Sequence, residues 1–148
     1  MQYSSGSAGR VFVLRFEEND AIYKEIESLC EKESVEAGVI WVIGGVKNGG
    51  VVVGPGNDSE RPLRPQVEQF TEAHEIIGTG TIFRNEENKP VLHMHAGAGR
   101  GKHQVIGCPR KGLECWLVTE AVLLEIKGAL AGRVKDESGA ELLKILSK

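Results

Sequence analysis

Helical periodicity occurs once in this chain, and that single stretch limits what the chain can fold into. From residue 21 to about 34 the apolar residues Ile22, Ile26, Leu29 and Cys30 recur at helical spacing, with Glu and Lys on the opposite side. Asn19 and Asp20 stand where a helix takes its N-terminal cap, and Cys30, on the apolar stripe, reads as a small core residue. The other apolar runs are short, rich in β-branched residues and bounded by turn residues. They cover residues 11–16, 39–43, 46–53, 67–83, 90–95, 103–108 and 113–126. One amphipathic helix and about seven or eight strands describe a single α+β domain, a largely antiparallel sheet with the helix packed on it. Residues 1–8, small and polar, read as a flexible lead, and 9–148 as the domain. Gly44-Gly45 reads as a break between two strands, and Gly49-Gly50 as a bulge or close backbone approach. Asp136-Glu137-Ser138-Gly139 reads as a hairpin turn near the end, with a final helix as the alternative.

A chain of 148 residues buries a core without help from disulfides. Its three cysteines, an odd and sparse set, fit a reducing compartment, so a cytoplasmic location is expected. The first ten residues lack the apolar core of a signal peptide, and no apolar run approaches the ~18 residues that span a bilayer. The formal charge of −3 argues against a general nucleic-acid binder with a strongly basic face.

Chemistry concentrates in Val91-Leu92-His93-Met94-His95 and in Cys108. On a strand, His93 and His95 leave the same face of the sheet. A hairpin centred on Arg100-Gly101 sets His93 opposite Cys108 and His95 opposite Ile106, which brings both imidazoles and the thiol into one small volume. A one-residue slip would turn Cys108 to the other face. The same geometry sends His103 to the opposite face, and a preceding hairpin centred on Glu86-Glu87-Asn88 puts Thr79 and Thr81 beside the histidines, Glu75 further along, and His74 pointing away. Two imidazoles and a thiolate suit zinc, with a fourth position open. The plainer alternative makes His93 and His95 half-buried strand residues and Cys108 a core thiol; spacing alone leaves both open. Gly101-Lys102 imitates the end of a phosphate-binding loop, but a strand follows where such a loop requires a helix.

Several stretches resemble the PPC (plants and prokaryotes conserved) domain in its stand-alone prokaryotic form: Gly9 to Phe16, Gly38 to Val46, Glu75 to Ile82, and Pro90 to His95. The resemblance runs from about residue 9 to 126. It implies a homotrimer, a mainly antiparallel sheet with one helix, and a more distant structural kinship with α-acetolactate decarboxylase, a zinc enzyme with a three-histidine site. Prokaryotic members carry H-x-H and a later histidine after paired glycines. Here the first two fall on His93 and His95, while the third position holds Cys108 behind a single glycine, Gly107. In plants the domain accompanies AT-hook DNA-binding motifs, and no AT-hook is present in this sequence.

The expectation is therefore a homotrimeric protein binding zinc or another divalent metal through His93, His95 and Cys108, acting on a small anionic substrate. Glu75 and Glu120 are the candidates for acid–base catalysis and Arg100 for substrate contact. The alternative is a DNA-binding or partner-binding regulator in which the metal is structural.

Overall fold

A computed structural model describes residues 1–146, without the side chains of residues 110 and 111. Eight strands form one antiparallel sheet: β1 (Ser7–Glu17), β2 (Ala37–Lys47), β3 (Gly49–Pro55), β4 (Pro65–Phe70), β5 (His74–Arg84), β6 (Pro90–Arg100), β7 (His103–Lys111) and β8 (Glu114–Lys127). Their spatial order is β1-β8-β2-β5-β6-β7-β3-β4. The chain closes with a separate two-stranded hairpin, β9 (Ala131–Lys135) and β10 (Glu141–Ile145). Asp136-Glu137-Ser138-Gly139 is thus a hairpin turn, and the final helix does not form.

The one helix, α1 (Ile22–Lys32), lays Ile22, Ile26 and Cys30 on the inner face of the sheet, where all three are fully buried. They pack with Ile40, Val42, Ile82, Met94 and Leu123, and each large aliphatic side chain so buried contributes roughly 1.5–3 kcal/mol. Neither Asn19 nor Asp20 caps the helix. Ala21 is the N-cap, with no side-chain bond. The start of the helix is tied instead to β8 and the residue before it: the Ile22 N–H donates to Leu113 O at 3.1 Å and the Cys115 N–H to Asp20 O at 2.9 Å. Glu27 reaches from the helix to accept the Leu92 N–H of β6 at 2.9 Å, and burial holds its carboxyl above the usual range.

Gly44-Gly45 does not break the strand. β2 continues through both residues, with a register irregularity against β8 between Gly44 and Val46. A Cβ on Gly44 would lie 2.6 Å from Val118 O, and its φ of +125° suits glycine. Close approach is therefore the physical role of this pair. Strand β1 begins at Ser7, paired with Lys127, with a bulge between Ala8 and Val11.

Near the start of β1 a polar contact ties that strand to β8. Arg10 donates from its backbone N–H and Nε to Glu125 Oε2 at 3.0 and 2.9 Å, and from Nη2 to Oε1 at 3.0 Å. Those bonds hold the Glu125 carboxyl down at about 2, against an ordinary 4.5.

Candidate metal centre

Strand β6 alternates strictly. Leu92, Met94, Ala96 and Ala98 are buried on the helix side, so His93 and His95 emerge together on the outer face. Strand β5 sets Thr81 opposite His93, Thr79 opposite His95 and Glu75 opposite Gly99, as the turn at residues 86–88 implies.

The other hairpin differs from expectation by two residues. Arg100 pairs with His103 and Ala96 with Gly107, so the loop is Gly101-Lys102. Gly101 has φ +59° and Lys102 does not share a positive φ, the pattern of a II′ turn with glycine first. Carried one step past the last pair, this register sets His95, and not His93, opposite Cys108. A two-residue change leaves every side chain on its face. Donor atoms of His93, His95 and Cys108 accordingly lie within 4.8 Å of one another. Around zinc, bonds of about 2.0–2.3 Å put tetrahedral donors roughly 3.3–3.8 Å apart, within reach of modest side-chain rotation. The donor set, two nitrogens and a sulfur, is one that zinc accepts. The two imidazoles stand edge to face with centroids 5.1 Å apart. Cys108 is buried, His93 half-buried and His95 exposed.

Cys108 is hemmed in by β3, where Val52 is its pairing partner. Above the three donors opens a cleft of about 780 Å³. One wall is β3 with the loop that follows it; the other includes Ser138, Gly139 and Ala140 of the closing hairpin. The two walls touch, for the Leu63 N–H donates to Ser138 O at 3.0 Å.

The remaining predicted site residues lie outside the cleft lining. Glu75 is on the donor-bearing face but exposed and opposite Gly99. Glu120, also exposed, sits on β8 between Ile43 and Arg15. Arg100 forms an ion pair with Glu72. His103 and His74, excluded from the donor set by face, meet each other on the other side: His74 Nε2 is 2.9 Å from His103 Nδ1, and His74 Nδ1 is 2.8 Å from Glu72 O. Sequence reasoning missed Arg133. This buried residue of β9 donates from Nη2 to Thr81 Oγ1 at 2.8 Å, beside the strand pair that carries His93, and its guanidinium lies 5.8 Å from the Phe83 ring. Nothing in the local pattern of the tail marks it. The other two cysteines are buried away from the cleft, and burial pushes the Cys30 thiol up to about 11.

A family model, the Plants and Prokaryotes Conserved (PCC) domain, matches residues 3–127. The chain belongs to this family. Among solved structures, a plant- and prokaryote-conserved (PPC) protein from Pyrococcus horikoshii superposes with a TM-score of 0.84 at 23% identity, covering 100% of both chains. A metal-containing protein from Archaeoglobus fulgidus follows at 0.83 and 22% identity, covering 99% of this chain and 100% of that one. A Ralstonia eutropha protein called "Putative DNA-binding protein" gives 0.71 at 18% identity, with 90% of each chain covered. At these identities the likeness to solved structures establishes a shared fold. None of the curated proteins matches at a significant level. No helix among the described residues is long and apolar enough to cross a membrane.

Proposed function

We propose that this PCC-domain protein is a homotrimer that binds a divalent metal, zinc, through His93, His95 and Cys108, and acts as a metal-dependent enzyme on a small anionic substrate. The observation that carries the reading is the convergence of three donors of the right chemistry at the floor of a cleft. The metal-containing relative of the same fold supports it. Bound zinc would supply Lewis acidity toward an oxygen of the substrate. The protein's own part is to fix the donors on two adjacent strands and to shield them beneath β3 and the closing hairpin. Acid–base duty for Glu75 and Glu120, and anion contact by Arg100, gain no support from the geometry, since none of the three lines the cleft.

Self-association is supported by the outer face of the sheet. Val13, Trp41, Ile43, Ile77, Ile106 and Val122 are exposed there, from 39% for Val122 to 84% for Val13. The strand registers place them in neighbouring rows across the sheet. A contiguous apolar surface of this kind marks an interaction site. The trimeric count comes from the family resemblance.

Elemental analysis of the purified protein beside a Cys108→Ala variant tests the metal reading. One zinc per chain in the wild type and a marked loss in the variant are expected; no zinc in the wild type, or unchanged zinc in the variant, refutes the three-donor site. The second reading, a DNA-associated regulator with a structural metal, draws on the name of the Ralstonia relative. It predicts DNA binding that weakens steeply with salt, and absence of binding at low salt would sink it.

A further inference from the structure

The cleft over the three donors has a chemical character that metal binding alone does not require. Among the described residues no Lys, Arg, Asp or Glu lines it, and beyond the donors its polar side chains are Gln69 and Ser138. The walls are apolar, with Val52 and Val53 from β3, Leu63 from the following loop, Pro65 and Val67 from β4, and Ile106 from β7. At about 780 Å³ the space falls in the range of sites, roughly 300–1,000 Å³, that enclose a drug-sized ligand. A two- or three-carbon acid would leave most of it to water. The wall formed by the closing hairpin lies beyond residues 3–127, the part of the chain that the family model matches.

We propose that the cleft binds a monoanionic amphiphile, with a single carboxylate head on the metal and an apolar tail lying along Val53, Leu63 and Ile106. This rests on the metal reading above and names the ligand class for the same site. The argument is one of charge placement. Among the described residues no cation lines the cleft, so the bound metal is the positive charge that matches one anionic head. A second carboxylate further up the cleft would meet apolar side chains with no cation among the described residues to pair it, and burying such a group is costly. An aliphatic tail in the same place gains from leaving water, by up to about 0.8 kcal/mol per methylene.

The test is calorimetric titration of the zinc-loaded protein with acetate, butanoate, hexanoate, octanoate and octanedioate, with zinc content measured on each sample. Affinity should rise along the monoacids by as much as about fourfold per methylene. Octanedioate, of equal length, should bind at least tenfold more weakly than octanoate. Removal of zinc by a chelator should abolish octanoate binding. Leu63→Asp and, independently, Val53→Asp should flatten the chain-length series while zinc stoichiometry and circular dichroism stay as in the wild type. With one zinc per chain, a flat series, a diacid as tight as the monoacid, or octanoate binding indifferent to zinc would overturn the amphiphile and leave the metal site standing. A wild-type protein without zinc would overturn both.

Discussion

Gly107 precedes the third donor, and the space around it makes a sharp prediction. A Cβ built there would lie 2.8 Å from Val51 Cγ1 and 2.9 Å from the Val52 carbonyl carbon, with the Val52 carbonyl oxygen nearer still. Ordinary contact begins at 3.4 Å. Gly107→Ala therefore forces β3 and β7 apart by about 0.5 Å for the carbon alone, and further for the oxygen. The obstruction is mainly backbone, so no rotamer change relieves it. Overpacking of this kind costs about 1–3 kcal/mol. For a chain of this length that corresponds to a melting temperature lower by about 4–12 °C. The damage should reach the site as well, because Val52 on the displaced strand is the pairing partner of Cys108. Gly97, on the neighbouring strand β6, is the control. Its Cβ would meet only Ile106 Cγ1, at an ordinary 3.6 Å. Gly97→Ala should leave stability unchanged or raise it by about 0.4–1 kcal/mol through the unfolded state. Differential scanning fluorimetry and zinc analysis on both variants decide the matter. A Gly107→Ala protein that melts within about 1 °C of wild type and keeps its zinc would refute the reasoning, as would equal damage from Gly97→Ala.

Three further outcomes are expected. If zinc binds the folded chain alone, zinc at a hundredfold excess over its dissociation constant adds about 2.7 kcal/mol, and a chelator should lower the melting temperature by several degrees in the wild type but not in Cys108→Ala. The Glu125 carboxyl, held at about 2 by Arg10, contributes stability that is complete above its ordinary 4.5 and lost as pH falls from there toward 2. With Arg10 partly open to solvent the effect is screened, and acid titration of Arg10→Met by circular dichroism should show that part of the pH dependence removed. Ile77→Asp, which puts a charge into the exposed apolar face, should dissociate the proposed trimer in sedimentation velocity runs without altering the secondary structure, and a wild type that sediments as a monomer would refute that assembly.

Period and punctuation made much of this fold legible in advance. Ile22, Ile26 and Cys30 announced the helix and its buried face, and the strands of the main sheet fell near the apolar runs that suggested them. What stayed hidden is non-local. No feature of 7–17 or 114–127 says that β8 inserts between β1 and β2. The helix start is satisfied by a carbonyl ninety residues away in sequence, so capping rules applied to Asn19 and Asp20 point to the wrong device. Gly44-Gly45 carries the same local signal for a break as for a close approach, and the choice depends on Val118 and Trp116 arriving from β8. The cleft was invisible for the same reason, because its walls come from residues 50–69 and 138–140 and meet across the Leu63–Ser138 hydrogen bond.

The donor set shows why an imperfect register still brings the same three side chains together. Turn chemistry excludes Arg100-Gly101 as the hairpin centre: in a II′ loop the glycine with positive φ comes first, which makes Gly101-Lys102 the loop and shifts all pairs by two. A strand has a side-chain period of two, so an even error conserves the face and an odd one reverses it. His93, His95 and Cys108 therefore stay together under either centre, while His103 stays with His74. The correction still matters for the chemistry. It moves Cys108 from His93 to the position beside His95, and β3 covers it there without leaving room for a Cβ on Gly107. Cys108 itself points to the other face of β7 from that contact and lines the open cleft. Cys108→His, which gives the three-nitrogen set of the resembled family, should therefore be tolerated where Gly107→Ala is not, and a Cys108→His variant that melts as low as Gly107→Ala would show that β3 closes on the donor face as well.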